Sequence, residues 1–416
     1  MKKEFWLFFA LLLAYFVYYF HGIGWVDFPF WDENIYINTA RAILSTHKPY
    51  PTPDHPPFGK ELLALGIRIF GDNPVGWRFF AVLSGAVSCT LVSYLVYRIG
   101  KNLGVALFVA ALLFFEPLWV VHFRLGQLDA PLTALLLTAT TLTYVFYASD
   151  RLRLWILYPT ALTLGLALST KFLTLVFMPV LGGLALARLW REEKRWKKIF
   201  HAAAVLTVLP ILVLLGTYRA LGYNTTEAVE EIKFIIVWHK FAQGPRPYFS
   251  RWYEWLYIRH PVWYFSKPLE GNKMQSIMAT GNFVLWIGAE LGALYSLIRF
   301  WRRPEILALS AAIGLQWLLY SQKPSTYIHY MTEILPFLFI LMGVAIADLF
   351  DRWGQKYRRL LQIDLAVYFM AAAIVFWNYQ PFIWGKPYPK ELHFRIMGIS
   401  PPPPASPTPS PTAGTT

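Results

Sequence analysis

The chain predicts an all-α integral membrane fold of about eleven transmembrane helices, and three observations carry that reading. Of 416 residues, 56% are hydrophobic and only 15% are charged, against roughly 25% charged in soluble domains. The apolar residues are gathered into runs of the length that crosses a bilayer core as helix, about 20 residues. The connectors between these runs alternate between rich and poor in Lys and Arg, as they do in a chain that threads back and forth.

The first run, Phe5 to Phe20, follows Met1-Lys2-Lys3. His21-Gly22-Ile23-Gly24-Trp25 behind it offers no small-residue cleavage site, so it reads as a retained first span with its basic end inside. The complete set of spans lies near 4–24, 76–98, 103–122, 129–148, 153–170, 172–190, 199–221, 280–299, 304–321, 328–349 and 359–381. In lipid each backbone polar group must be satisfied within its own segment, so these spans are helices. The segment 55–71 is shorter and amphiphilic, and is expected to lie at the interface.

Cations set the orientation. One group of connectors holds Arg98 and Lys101, Arg151 and Arg153, the run from Arg191 to Lys198, Arg299 to Arg303, and Arg352 to Arg359. The opposite short connectors hold one cation each, at Arg124, Lys171 and Lys323. This places the N-terminus in the cytoplasm and the C-terminus outside. The same distribution accounts for the net charge of +14 and excludes a nucleic-acid partner, whose basic residues would be grouped on one domain. Cys89 is the only cysteine, so no intramolecular disulfide forms.

Two long segments, about 25–75 and 222–280, then fall outside. Ile35/Tyr36, Thr39/Ala40 and Ile43/Leu44 recur at helical spacing in the first, as do Val229, Ile232 and Ile236 in the second, which predicts helices along the membrane surface. The aromatic residues of the second, from Trp238 to Tyr264, form either an interfacial belt or a platform for stacking sugars. Asn224-Thr225-Thr226 is a glycosylation sequon on this side. Residues 1–398 are one polytopic domain. The remainder, 399–416, is a Pro/Ser/Thr-rich tail that cannot bury a core and is expected to be disordered.

The residues fit for chemistry are in the outer connectors. Asp32 and Glu33 stand just past a span end, where a carboxylate can take the proton of an attacking hydroxyl; either can equally cap the helix that follows. In Asp54-His55-Pro56-Pro57-Phe58-Gly59-Lys60 the prolines fix a turn flanked by His55 and Lys60, and a cation there either holds a phosphate or snorkels to headgroups. Arg124 and Asp129 lie at the mouth between two spans, either functional or paired with each other. Lys171 presents one more cation to the same face. Three connectors thus bring acids and bases to one surface, a layout suited to a lipid-linked sugar phosphate whose leaving group needs positive charge behind it. No pair of histidines has ligand spacing, so a divalent metal is unsupported and no cofactor is assigned.

Trp31-Asp32-Glu33, His55-Pro56-Pro57-Phe58-Gly59-Lys60 and Arg124-Leu125-Gly126-Gln127-Leu128-Asp129 resemble the protein O-mannosyltransferase family, multispan glycosyltransferases of the GT-C fold. Gly165 to Phe172 and Tyr327-Ile328-His329-Tyr330 with Pro336 are similar to further family segments. The likeness is close over roughly the first 175 residues and looser beyond them. It implies inverting transfer of mannose from a dolichyl- or polyprenyl-type phosphate to a Ser or Thr of a protein. Asp32 would then be the general base with Glu33 beside it. Arg124, Lys171, Lys60 and His55 would face the donor phosphate, and Asp129, Tyr327 and His329 would support them, Asp129 through Arg124. The second outer segment is too short for the β-trefoil of the eukaryotic members, which points to a compact prokaryotic version in the plasma membrane. Two alternatives remain open. One is a GT-C transferase acting on a lipid or lipid-linked glycan, similar to the lipid A aminoarabinose transferases. The other is a transporter or flippase, for which Glu290 within a span is the strongest residue.

Overall fold

The computed structural model describes residues 2–46, 54–241, 248–323 and 326–397. The tail expected to be disordered lies outside them. The apolar runs fold as helices: α1 (Lys2–Phe20), α2 (Asp32–Thr46), α3 (Phe58–Phe70), α4 (Pro74–Gly100), α5 (Leu103–Leu113), α6 (Pro117–His122), α7 (Asp129–Ala148), α8 (Leu157–Leu168), α9 (Thr174–Leu189), α10 (Arg195–Ala220) and α11 (Thr225–Phe241). After them come two strands, β1 (Val262–Leu269) and β2 (Lys273–Ala279), then α12 (Phe283–Phe300), α13 (Pro304–Ser321) and α14 (Leu335–Ile383). A short β3 (Tyr388–Pro389) and α15 (Lys390–Met397) close the described chain.

Every stretch read as a span falls on helix, but length and apolarity single out six helices among the described residues, α1, α4, α7, α10, α12 and α14, as able to cross a membrane. The difference from eleven has local causes. The stretch 103–122 breaks at Phe114–Glu116, where the Glu116 side chain accepts from the Leu118 N–H and starts α6 separately. The stretch 328–349 opens with a 3-10 turn, Ile328–Glu333, and the α-helix begins only at Leu335. The two last spans merge into α14, a single 49-residue element that reverses at Tyr357 (φ −122°, ψ 23°). The reversal is plain from the Tyr368 hydroxyl, which lies 3.6 Å from Met342 Sδ although the residues are 26 apart; a straight helix would separate them by about 39 Å.

Between spans the packing is close because lipid supplies no hydrophobic drive and backbones must approach for dispersion to hold them. A Cβ on Gly292 would stand 2.6 Å from the Met342 Cα, and one on Gly343 would stand 2.5 Å from Val96 Cγ1. Asn282 caps α12 through the Leu285 N–H. Its side-chain amide donates to the carbonyls of Phe115 and Ala372, joining three elements.

The surface helices expected from 35–44 and from Val229, Ile232 and Ile236 are α2 and α11, and the 55–71 amphiphile is α3. Asn224 of the sequon is used structurally: its Oδ1 accepts from the Glu227 N–H, and Glu227 accepts in turn from the Asn224 N–H, a reciprocal cap on α11. A small sheet sits within the helical fold. β1 and β2 form an antiparallel hairpin with a bulge at Trp263/Phe265, and β3 extends it at Met274–Tyr388. Its aromatics mask the alternation of a strand. Gln275 Nε2 ties the hairpin to the carbonyls of Trp25 and Gly385, so it covers the first loop.

Candidate functional site

The site is built where the ends of α1, α4, α7 and α8 meet the turn before α14. Its first part is a clamp on the loop between α1 and α2. Arg78, from the first turns of α4, is 2% exposed. Nε and Nη2 donate to the two oxygens of Glu33 at 2.8 Å each. Nη1 donates to the carbonyls of Ile23 and Val26, and Nη2 also to that of Phe28. All five guanidinium donors are thereby used, which is what a buried arginine requires. Glu33 Oε1 also accepts from the Gly126 N–H at 2.8 Å. Glu33, read from the sequence as a catalytic partner of Asp32, is therefore a buried anchor with both oxygens committed. Asp32, the preceding residue and the first of α2, is half-buried at the rim. Trp31 before it holds a left-handed backbone (φ 53°) and packs 5.3 Å from the Tyr264 ring.

Arg124 is placed differently from expectation. Its Nε donates to the Tyr19 carbonyl, and Nη2 donates to those of His21 and Gly22. The guanidinium lies 4.3 Å from the Trp384 ring centroid. These carbonyls belong to the last turn of α1 and the turn that follows it, where a cation also meets the negative end of the helix dipole. The expected Arg124–Asp129 pair does not form, because the fork of Arg124 is taken up by α1.

Asp129, the first residue of α7, pairs instead with Lys171 at 2.7 Å. Lys171 also lies 3.7 Å from Glu333, which closes the 3-10 turn before α14. On the other side of Asp129, His122 Nδ1 stands at 3.8 Å. His122 Nε2 is hydrogen-bonded to the Tyr264 hydroxyl at 2.7 Å. His329 stacks 5.4 Å from His122 and 5.3 Å from Tyr327. A continuous line of polar groups thus runs from Trp31 and Tyr264 through His122 and Asp129 to Lys171 and Glu333.

The turn bearing His55 and Lys60 closes a further wall. The Phe58 N–H donates to the Ser169 carbonyl at 2.8 Å, which docks the turn on the end of α8. Lys60, 2% exposed, donates to Asp54 Oδ1 and the His55 carbonyl, each at 2.9 Å. The His55 ring lies 5.3 Å from that of His239 in α11.

Electrostatics follow from this crowding. Burial pulls the Lys171 ammonium down, but Asp129 and Glu333 outweigh it and hold its pKa above the usual lysine range. Burial, with Asp129 adding to it, holds the Glu333 carboxyl well above the usual carboxylate range. Burial keeps His122 and His329 neutral, pushed down to about 4 and about 3. His55 is held well below its ordinary value by burial and then by Lys171, His239 and Lys60. Asp32 and Asp129 both act on Tyr36, Tyr264 and Tyr330, so the carboxylates share one set of neighbours.

Asp32, His55, Lys60, Asp129, Lys171, Tyr327 and His329 are thus brought around one surface, while Arg124 is turned away to α1. Arg78, His122, Tyr264 and Glu333 were not singled out in the sequence. Arg78 and Glu333 carry a legible signal, since each is an ionisable residue inside a stretch read as a span. Among the described residues, no group of three His, Cys, Asp or Glu is placed to hold a metal ion.

A family model described as dolichyl-phosphate-mannose-protein mannosyltransferase matches residues 54–215. The polyprenol-phosphate-mannose–protein mannosyltransferase of Mycobacterium tuberculosis is 25% identical over 439 aligned positions, which span 86% of this chain and 84% of that protein. Its namesake in Corynebacterium glutamicum is 23% identical, over 88% of this chain and 85% of that protein. Among solved structures, the Saccharomyces cerevisiae protein O-mannosyltransferase Pmt1-Pmt2 complex bound to the sugar donor matches with a TM-score of 0.82 at 14% identity, over 96% of this chain and 92% of that chain. ArnT from Cupriavidus metallidurans bound to undecaprenyl phosphate matches with a TM-score of 0.65 at 15% identity, over 96% and 78%.

Proposed function

We propose, from the premise that this membrane protein belongs to the protein O-mannosyltransferase family of GT-C glycosyltransferases, that it moves mannose from a polyprenyl phosphate to a Ser or Thr hydroxyl of a protein. The observation that carries the reading is the gathering of Asp32, the His55/Lys60 turn, Asp129 and Lys171, from three connectors, around Tyr36, Tyr264 and Tyr330.

In the proposed step the acceptor oxygen bonds to the anomeric carbon as the bond from that carbon to the phosphate oxygen breaks. The acceptor proton passes to Asp32, and the electron pair leaves with the lipid phosphate. The attack from the opposite side of the ring inverts the anomeric centre. Asp32 suits the role of base because it is half-buried at the rim while Glu33 behind it is fixed by Arg78. His55 and Lys60 stand on the phosphate side, where positive charge favours the developing anion. Arg124 serves this site by holding the end of α1.

We further place the reaction at the outer face of a prokaryotic plasma membrane, with the N-terminus in the cytoplasm and the C-terminus outside. Support comes from the cation-rich connectors at the end of the bundle opposite the site. A lipid acceptor has less support: the chain spans only 69% of the length of the undecaprenyl phosphate-alpha-4-amino-4-deoxy-L-arabinose arabinosyl transferase of Pseudomonas paraeruginosa.

The test is transfer by the purified, reconstituted protein supplied with labelled polyprenyl-phosphate mannose, a Ser/Thr peptide and a lipid fraction. Label in the peptide is the expected result. Label in the lipid alone, or release of free mannose alone, overturns it.

A further inference from the structure

One ammonium, Lys171, serves two buried carboxyl groups, at 2.7 Å from Asp129 and 3.7 Å from Glu333. Glu333 is 1% exposed, and neither of its oxygens accepts from a hydrogen-bond donor. The Nδ1 atoms of His122 and His329 are buried without a hydrogen-bond partner. Native proteins satisfy nearly all buried polar groups, so four orphaned atoms in one cluster point to a ligand.

The cluster selects the ligand's chemistry. A phosphate would bring negative charge against Asp129, and the Lys171 ammonium is already neutralised at short range. An apolar group would leave the orphaned atoms unsatisfied. Vicinal hydroxyls, each both donor and acceptor, match a floor that mixes an accepting carboxylate with donors and acceptors in rings and carboxyl groups. The cluster also lies behind the proposed base, since Tyr264 bonds His122 and packs against Trp31, the neighbour of Asp32.

We propose that Asp129, Lys171 and Glu333, with the free ring nitrogens of His122 and His329, form a subsite that reads the hydroxyls of the donor sugar, Glu333 being the residue that discriminates. The identity of the donor rests on the function proposed above. The inference moves Lys171 from the phosphate side to the sugar side. Glu333 works as a carboxylic acid that donates through its O–H and accepts through its carbonyl. Glutamine offers the same two capacities, and alanine offers neither.

The test uses the full-length reconstituted protein with Glu333→Gln and Glu333→Ala. Equilibrium binding is measured for polyprenyl-phosphate mannose and for bare polyprenyl phosphate, together with KM for donor and acceptor peptide. Expected is a loss of about 10–100-fold for the mannosyl lipid in Glu333→Ala, with bare polyprenyl phosphate changed by less than about twofold and Glu333→Gln within about threefold of wild type. Equal weakening of both lipids, an effect confined to the acceptor peptide, or no effect on either lipid overturns the subsite. Should Glu333→Ala not fold, wild-type protein is titrated with donors lacking single sugar hydroxyls. At least one must then bind about 10-fold more weakly, and equal binding of all of them overturns the proposal. Wild type that prefers the mannosyl lipid over the bare one yet labels no peptide refutes the transfer reading and leaves the subsite standing.

Discussion

Arg78 grips Glu33 through two parallel contacts of 2.8 Å inside the protein, and this pair fixes the position of Asp32 one residue before it. The grip is a geometric device as much as a charge pair. The same guanidinium holds three carbonyls of the loop that leads from α1 to α2.

Removing the arginine strands a buried carboxylate. Arg78→Ala is expected to cost about 3–5 kcal/mol, the usual penalty for breaking a buried pair from one side. Arg78→Lys recovers only part of this, because a point charge cannot reproduce the fork. Thermal unfolding in detergent measures both, and an unchanged midpoint in Arg78→Ala contradicts the clamp.

Asp32 calls for the opposite outcome. Asp32→Asn keeps the shape and removes the proposed base, so turnover is expected to fall by about 10²–10⁴-fold with the unfolding midpoint unmoved. Donor binding should persist. A variant retaining more than a tenth of the wild-type rate removes Asp32 from the chemistry.

Arg124 separates packing from donor recognition. Its donors serve the carbonyls of Tyr19, His21 and Gly22, so Arg124→Ala should loosen the end of α1 and lower stability by about 1–3 kcal/mol. Affinity for bare polyprenyl phosphate should follow that loss and show no separate collapse. A titration of the folded variant, carried out well below its unfolding temperature, distinguishes the two. Loss of lipid binding in a protein as stable as wild type would return Arg124 to the phosphate.

These cases show where the sequence is legible. Asp32, His55, Lys60, Asp129 and Lys171 stand in connectors between apolar runs, where an ionisable residue is conspicuous, and the structure brings them together. Partnership is not legible in the same way. Asp129 is five residues from Arg124 yet pairs with Lys171, 42 residues on, because the carbonyl oxygens at the end of α1 take up the arginine. Glu333 is visible as an ionisable residue inside 328–349, but hydropathy averages over a stretch, and one carboxyl group does not break the pattern of a span. The β-hairpin was obscured because its aromatics read equally as an interfacial belt.

The neutral histidines set the response to acid. His122 and His329 are held down to about 4 and about 3 by burial, whereas in the unfolded chain each titrates near the ordinary histidine value of 6.5. Below that value the unfolded state binds protons that the folded state does not, so stability present above pH 6.5 is lost as pH falls toward 4. Each residue contributes a slope of about 1.4 kcal/mol per pH unit in that window. Unfolding midpoints taken from pH 7 to pH 5 should therefore fall, and His122→Asn should flatten the curve. An equal slope in that variant contradicts a buried neutral His122.

Gly126 tests whether the first loop and the α6–α7 connector act as one body. A Cβ there would stand 2.8 Å from the Trp77 carbonyl oxygen and 3.2 Å from Glu33 Oε1, and the backbone oxygen cannot swing aside as a side chain can. Gly126→Ala should cost about 1–3 kcal/mol as overpacking. Its N–H also donates to Glu33, so displacing the connector weakens the contact that Glu33→Gln weakens from the other side. The two substitutions together should therefore fall short of the sum of their separate costs by about 0.5–3 kcal/mol, the range for residues that share a partner. A double-mutant cycle on unfolding free energy reads this directly. Strict additivity would mean that the connector and the Asp32 loop are held independently, and that Glu33 is not the joint between them.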